Sequence, residues 1–388
     1  MSWIAKRMNR IGTESAFEIL AMARELERRG KKIIHLEVGE PDFDTPQHIV
    51  EAGVRALREG YTHYTTARGL YELRGAIANR IKERYGVDVS PDWEVIPMPG
   101  AKPCLFAAIM VTINEGEEVI IPNPAYPVYR SVVEFVGGKV VDVELKEENK
   151  FRMTYEDVER KITERTKMIV VNTPHNPCGS VMDERDIKAL VELAERKNIL
   201  ILSDEIYSEI TYDKNHYSFL QVDGIENVIM VDGFSKTYAM TGWRLGYAVG
   251  PREVIDKMVK LQINMTTCPA AFVQKAGIAA LNGPKEPINK MVDEYRSRRE
   301  VVYKKLREIE EFSVVKPEGA FYIFPNVKKL GVDSKELVMK LLKEAGVALL
   351  HGTAFGKKGE GYIRISYANS ISNLEKGISR IKKFIEKV

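Results

Sequence analysis

The sequence predicts an α/β protein: a doubly wound, mainly parallel sheet at the centre of a larger lobe, with a smaller α+β lobe beside it. Three observations predict it. Between Thr45 and about Leu281, short runs rich in Val, Ile and Leu alternate with amphipathic stretches, and strand-then-helix alternation is how crossover connections build a parallel sheet. Asn282-Gly283-Pro284 then breaks the alternation, and a long amphipathic helix is predicted from Pro287 to Ile309. Finally, 388 residues exceed what one hydrophobic core ordinarily serves, so two lobes are expected.

The elements follow in order. Helical periodicity over Glu14–Arg29 leads into a short strand, Ile33–Val38, and the turn Gly39-Glu40-Pro41-Asp42. Thr45-Pro46 opens the alternating region, proline being suited to the first turn of a helix. The strands expected there are Glu118–Pro122, Lys139–Glu144, Met168–Asn172, Ile199–Ser203, Asn227–Val231 and Gly246–Val249. After the long helix, Ala320–Phe324 and Gly361–Ser366 are expected as strands and Ser334–Glu344 and Ser372–Glu386 as helices. The domain boundaries expected are 1–44, an N-terminal segment belonging to the small domain, 45–283, the large domain, and 284–388, the rest of the small domain.

Composition excludes several function classes. Apolar residues at 44% and charged residues at 29% match a soluble globular protein. The net charge of +3 from 58 basic and 55 acidic residues implies no strong field for nucleic acid or a membrane surface. No signal-peptide core follows Met1-Ser2-Trp3, and no run approaches membrane-spanning length. The three cysteines, Cys104, Cys178 and Cys268, lack a CxxC spacing, and a cytoplasmic location is expected. The histidines show no ligand spacing, so no metal site is expected. Gly352-Thr353-Ala354-Phe355-Gly356-Lys357-Lys358 has too few residues between its glycines for a P-loop and no Ser or Thr after the lysine.

Three predicted strands end on polar groups. Met168–Asn172 runs into Asn176-Pro177, Ile199–Ser203 into Asp204 with Tyr207 three residues on, and Asn227–Val231 into Lys236. Ligands in open parallel sheets sit outside the carboxyl ends of the strands, so an amide, an acid with a phenol, and a lysine would share one crevice. Pyridoxal phosphate needs such a set: a lysine for its aldehyde, a carboxylate for its ring nitrogen, donors for its 3′-oxygen (Asn176 and Tyr207 can serve), and a helix start plus a guanidinium for its phosphate.

The sequence resembles the class I aminotransferases, fold type I of the pyridoxal phosphate enzymes, from Gly39-Glu40-Pro41-Asp42-Phe43 to Arg364-Ile365-Ser366-Tyr367-Ala368. The most specific stretch is Ser235-Lys236 through Met240-Thr241-Gly242-Trp243-Arg244-Leu245-Gly246-Tyr247. The resemblance implies a seven-stranded sheet in a cofactor-binding large domain, and a homodimer with shared active sites. It implies an amino acid and a 2-oxo acid as substrates, 2-oxoglutarate being the expected acceptor and aspartate, alanine or an aromatic amino acid the donor. Lys236, Asp204 and Tyr207 become the catalytic set, Lys236 forming the Schiff base and then carrying the proton. Gly100, Ala101 and Lys102 become the phosphate cradle, closed by Arg244. Ser235 or a backbone amide is expected to compensate for Gly233, which stands where some members carry a phosphate-binding serine.

Tyr126 matches the aromatic that stacks on the ring, and Tyr64 the tyrosine that reaches the phosphate of the neighbouring subunit. Asn176 is implied as a cofactor and substrate contact followed by a cis-proline. Arg364 is implied as a bidentate clamp on the substrate α-carboxylate, with the backbone at Gly39 assisting. Lys102 falls where some aspartate-using relatives hold a distal carboxylate and is expected to bind substrate there, serving the γ-carboxylate of 2-oxoglutarate; Glu14 falls near the same subsite, and if the two pair, the pocket is nearly neutral and alanine or an aromatic donor becomes plausible. The alternatives are a lyase or synthase of the same fold, which uses nearly the same residues, and a non-catalytic pyridoxal phosphate-binding regulator, for which no DNA-binding module precedes the family-like part.

Overall fold

The computed structural model describes residues 3–223 and 226–387; Met1, Ser2 and Val388, which fall within the expected terminal segments, lie outside the described residues. In chain order the strands are β1 (Ile34–His35), β2 (Val95–Met98), β3 (Glu118–Asn123), β4 (Lys139–Glu144), β5 (Thr166–Asn172), β6 (Leu200–Asp204), β7 (Val228–Gly233), β8 (Gly246–Val249), β9 (Tyr322–Ile323), β10 (Val347–Ala348), β11 (Leu350–His351) and β12 (Ile363–Ser366).

A seven-stranded sheet takes the order β2-β8-β7-β6-β5-β3-β4. Pairing is parallel from β7 to β4, while β8 runs antiparallel to both of its neighbours. Successive side chains alternate between two buried layers, as a strand's period of two dictates. Ile169, Ile201 and Met230 join the core with Leu73, Ile77 and Leu190, whereas Val170, Leu202 and Ile229 join the other with Leu105, Ala108 and Ile255. Both faces are therefore covered by helices, which is why these strands read as continuous apolar runs rather than alternating ones.

Within this sheet β2 is the strand missing from the expected set, as β10 and β11 are in the smaller sheets. It is short, contains Pro97, and lies at the edge of the sheet, the place where a missing backbone donor is tolerated.

The remainder forms smaller sheets. β1 pairs parallel with β10, and β11-β12-β9 form an antiparallel sheet, joined through Ser366 N–H donating to Leu36 O at 2.9 Å. Several expected elements are shorter than their sequence pattern. The run Ala320–Phe324 keeps only Tyr322–Ile323 as strand, because Ala320 sits at φ 56°, outside the extended region. The helix expected over Ser334–Glu344 is α-helical only to Lys340 and ends in a π-turn, Leu341–Ala345. The long helix spans Glu286–Leu306.

Candidate active site

The β5–β6 register sets Asn172 beside Asp204, and the β6–β7 register sets Asp204 beside Val231. The amide, the acid and the lysine-bearing turn after β7 therefore meet at one end of the sheet. There they open into a cavity of about 470 Å³. Every predicted site residue lines it except Gly100 and Tyr64.

Lys236 lies in the short helix Phe234–Thr237 that caps β7. Its Nζ donates to Gly39 O at 2.6 Å. Burial lowers its pKa to about 8; Glu40 opposes the shift, and the cations Arg364, Arg244 and Lys102 add to it. A buried amine held this way is close to nucleophilic at neutral pH. Gly39 approaches so closely that a Cβ there would meet the Tyr322 hydroxyl at 2.1 Å.

Asp204 is 3% exposed. Its Oδ2 accepts from the Tyr129 hydroxyl at 2.6 Å and its Oδ1 from Ile206 N–H at 3.2 Å. Burial pushes the carboxyl up to about 6, against the opposing pull of those two donors. Tyr129 was not among the sequence-predicted residues. Its signal was its position three residues after Tyr126 at the start of the helix Val128–Phe135, and the two rings pack edge to face at 5.7 Å.

The opposite wall comes from β9 and β12. The Tyr207 and Tyr322 hydroxyls are hydrogen-bonded at 2.7 Å, and Arg364 lies over the Tyr322 ring at 4.4 Å. Arg364 NH1 donates to Asn176 Oδ1 at 3.1 Å and NH2 to Glu37 O. Its Nε, buried, has no partner, and burial lowers its pKa. A guanidinium so placed calls for an anion. The expected cis bond at Asn176-Pro177 is present, as are cis bonds at Asn123-Pro124 and Thr173-Pro174. Tyr322 and Asn172 carried no sequence signal as site residues.

The helix Ala101–Thr112 begins at the cavity, and no side chain caps its start. Its N-cap, Gly100, has φ 107°, and a Cβ there would meet Arg244 NH2 at 2.5 Å; only glycine combines that backbone with so close a guanidinium. Ser235, buried, lines the same end. Free helix amides, a guanidinium and a hydroxyl form an anion cradle. Together with the low-pKa amine, the buried carboxylate and the unpartnered Arg364 Nε, these residues fit the cofactor that the sequence implies.

Two expected residues stand apart from the rest. Lys102 is ion-paired with Glu14, the pairing that the sequence left open, and Glu14 Oε1 also accepts from the Tyr126 hydroxyl at 3.1 Å. Tyr64 is 86% exposed and does not line the cavity of its own chain. Among the described residues no group of acidic, histidine or cysteine side chains could hold a metal ion.

The chain is similar to several known proteins. The family described as aminotransferase class I and II matches residues 31–381. An aspartate aminotransferase of Pyrococcus abyssi is 44% identical over 92% of both chains. An aromatic-amino-acid aminotransferase of Thermococcus litoralis is 41% identical over 91% of this chain and 92% of that one. The structure of an alanine aminotransferase from Pyrococcus furiosus superposes with a TM-score of 0.95 at 36% identity, covering 99% of this chain and 100% of that one.

Proposed function

Since the chain belongs to the class I and II aminotransferases and is a pyridoxal phosphate-dependent transaminase acting on an amino acid and a 2-oxo acid, we propose that Lys236 is its catalytic amine and that the cavity around it is the active site. The observation that carries the assignment is the convergence of Lys236, Asp204 and Arg364 on one cavity, each with a shifted pKa. A lyase or a non-catalytic regulator is not favoured, since relatives over nearly the full chain are named as aminotransferases.

The electron sink that makes the substrate Cα–H acidic is supplied by pyridoxal phosphate when bound. The protein supplies binding, orientation and proton movement. Lys236 Nζ would hold the cofactor, and as a buried amine beside it would serve as the base for the substrate α-proton. Asp204 would set a negative charge at the ring nitrogen, with Tyr129 holding the carboxylate in place. Tyr207 and Asn176 would serve the 3′-oxygen, and Tyr126 would flank the ring. The amides of Ala101 and Lys102 after Gly100, with Ser235 and Arg244, would hold the phosphate. Arg364, with Asn176 and the backbone at Gly39, fixes the substrate α-carboxylate.

The homodimer with shared sites, the cytoplasmic location and the division into 45–283 and 1–44 plus 284–388 belong to the same reading. Pairing of β1 with β10 supports the division. An open groove of about 840 Å³ shares Glu40, Thr241 and Arg244 with the active-site cavity, a place for Tyr64 of a second copy to reach the phosphate. Among the described residues no helix is long and apolar enough to cross a membrane, and the cysteines are free.

The test is a half-reaction. Cofactor-loaded enzyme given an amino donor alone should release one equivalent of its 2-oxo acid and stop until a second 2-oxo acid is added. Continuous release of ammonia and 2-oxo acid without an acceptor would refute transfer in favour of elimination.

A further inference from the structure

We infer that Glu14 is a specificity-determining residue: by neutralising Lys102 it sets the substrate side-chain subsite for uncharged, preferably aromatic, side chains and against dicarboxylates. The inference rests on the active-site reading above.

Lys102 sits in the first turn of the helix Ala101–Thr112, where the helix dipole disfavours a cation. Glu14 is the N-cap of the helix Ser15–Arg28, where the dipole favours an anion. Each charge thus has a reason to hold the other. The Tyr126 hydroxyl adds a second donor to Glu14 Oε1, so the carboxylate is fixed from two sides. The Lys102 and Glu14 side chains are 43% and 24% exposed, partly withdrawn from the water that would otherwise screen them.

The pair leaves no net charge at this wall of the cavity. A dicarboxylate held at Arg364 by one end would place its second carboxylate against the Glu14 anion and would have to break the Glu14–Lys102 pair to reach Lys102. Like charges sharing a site are strongly disfavoured. Glu14 also contributes to the electrostatic environment of Arg364, so the two anion subsites are not independent. Beside the pair, on the helix that Glu14 caps, Phe17 lines the cavity and is 65% exposed. An aromatic or aliphatic substrate side chain can cover that ring without disturbing the pair.

The experiment compares two carboxylates that share the group for Arg364 and differ at the other end, succinate and 3-phenylpropionate, by equilibrium titration of the cofactor-loaded enzyme. The wild type should bind 3-phenylpropionate at least about tenfold more tightly than succinate, since one charge mismatch in a partly desolvated site is of that size. Glu14→Ser should tighten succinate binding about tenfold or more, and Glu14→Gln, which keeps the shape of the cap, should move it the same way. Adding Lys102→Met to Glu14→Ser should abolish the gain. Wild-type enzyme that binds succinate as tightly as 3-phenylpropionate would overturn the inference, as would Glu14 variants with unchanged succinate affinity. Arg364→Leu should lose both ligands; if it kept both, the active-site reading beneath the inference would fall, whatever Glu14 does.

Discussion

Tyr129→Phe removes a single hydroxyl and keeps the ring that packs against Tyr126 at 5.7 Å. That hydroxyl donates the shorter of the two hydrogen bonds to the Asp204 carboxylate, 2.6 Å against 3.2 Å for Ile206 N–H. Both bonds favour the ionised form against burial, which already pushes the carboxyl up to about 6. A hydrogen bond to a charged group contributes about 1.5–3 kcal/mol. At about 1.4 kcal/mol per factor of ten, its loss disfavours ionised Asp204 by roughly 10- to 150-fold. Since the ionised carboxylate is the form that opposes the ring nitrogen, the acid limb of the rate profile should move to higher pH, and the defect should be largest at low pH. The assay is the single-turnover half-reaction rate from about pH 5 to about pH 9, with thermal unfolding run in parallel to confirm the fold. An acid limb that does not move, with rates within about twofold of wild type throughout, would refute the role given to Tyr129.

Three further outcomes are expected. Burial lowers Lys236 to about 8, so the rate at which cofactor-free enzyme captures pyridoxal phosphate covalently should climb as pH rises through about 8; a climb only near 10.5, the ordinary lysine value, would show the amine to be solvated. His35 bridges Glu37 at 2.8 Å and Glu27 at 3.0 Å, and chiefly the Glu37 bond raises its pKa against burial. The stability this gives is fully present below 6.5, the ordinary histidine value, and lost as pH rises through the raised value in the folded protein. His35→Gln should therefore cost roughly 1–2 kcal/mol in urea titrations on the acid side and less at alkaline pH, and a gap independent of pH would contradict this. Inactive Lys236→Ala mixed with inactive Tyr64→Asp should recover some activity after subunit exchange, because one hybrid site carries neither lesion; no recovery after verified exchange would count against the shared site.

The parallel core was readable because its strands are buried on both faces and so stand out as apolar runs; β2, though buried, was not, because its run is only four residues long and holds a proline. The polar strand ends were readable for a similar reason: Asn176, Asp204 and Lys236 interrupt or follow those runs. Tyr129, Tyr322 and Asn172 were not. Their positions depend on register and on the meeting of segments far apart in the chain, as when the Tyr322 and Tyr207 hydroxyls come to 2.7 Å, and a tyrosine in an apolar helix or strand looks the same whether it packs or donates. The Glu14–Lys102 pair lay between these cases. Sequence could name both residues and the consequence of their pairing, but only the fold, which sets the residue that begins the helix Ser15–Arg28 against the first turn of the helix Ala101–Thr112, brings them into contact.

Whether Lys236 is the catalytic amine is read out by reductive trapping. Cofactor-loaded enzyme is treated with borohydride, digested, and the modified peptide sequenced by mass spectrometry. One modified site is expected, Lys236 in Gly233-Phe234-Ser235-Lys236-Thr237, and no covalent label in folded Lys236→Ala. Label on another lysine in the wild type, or label that survives in Lys236→Ala, would contradict it.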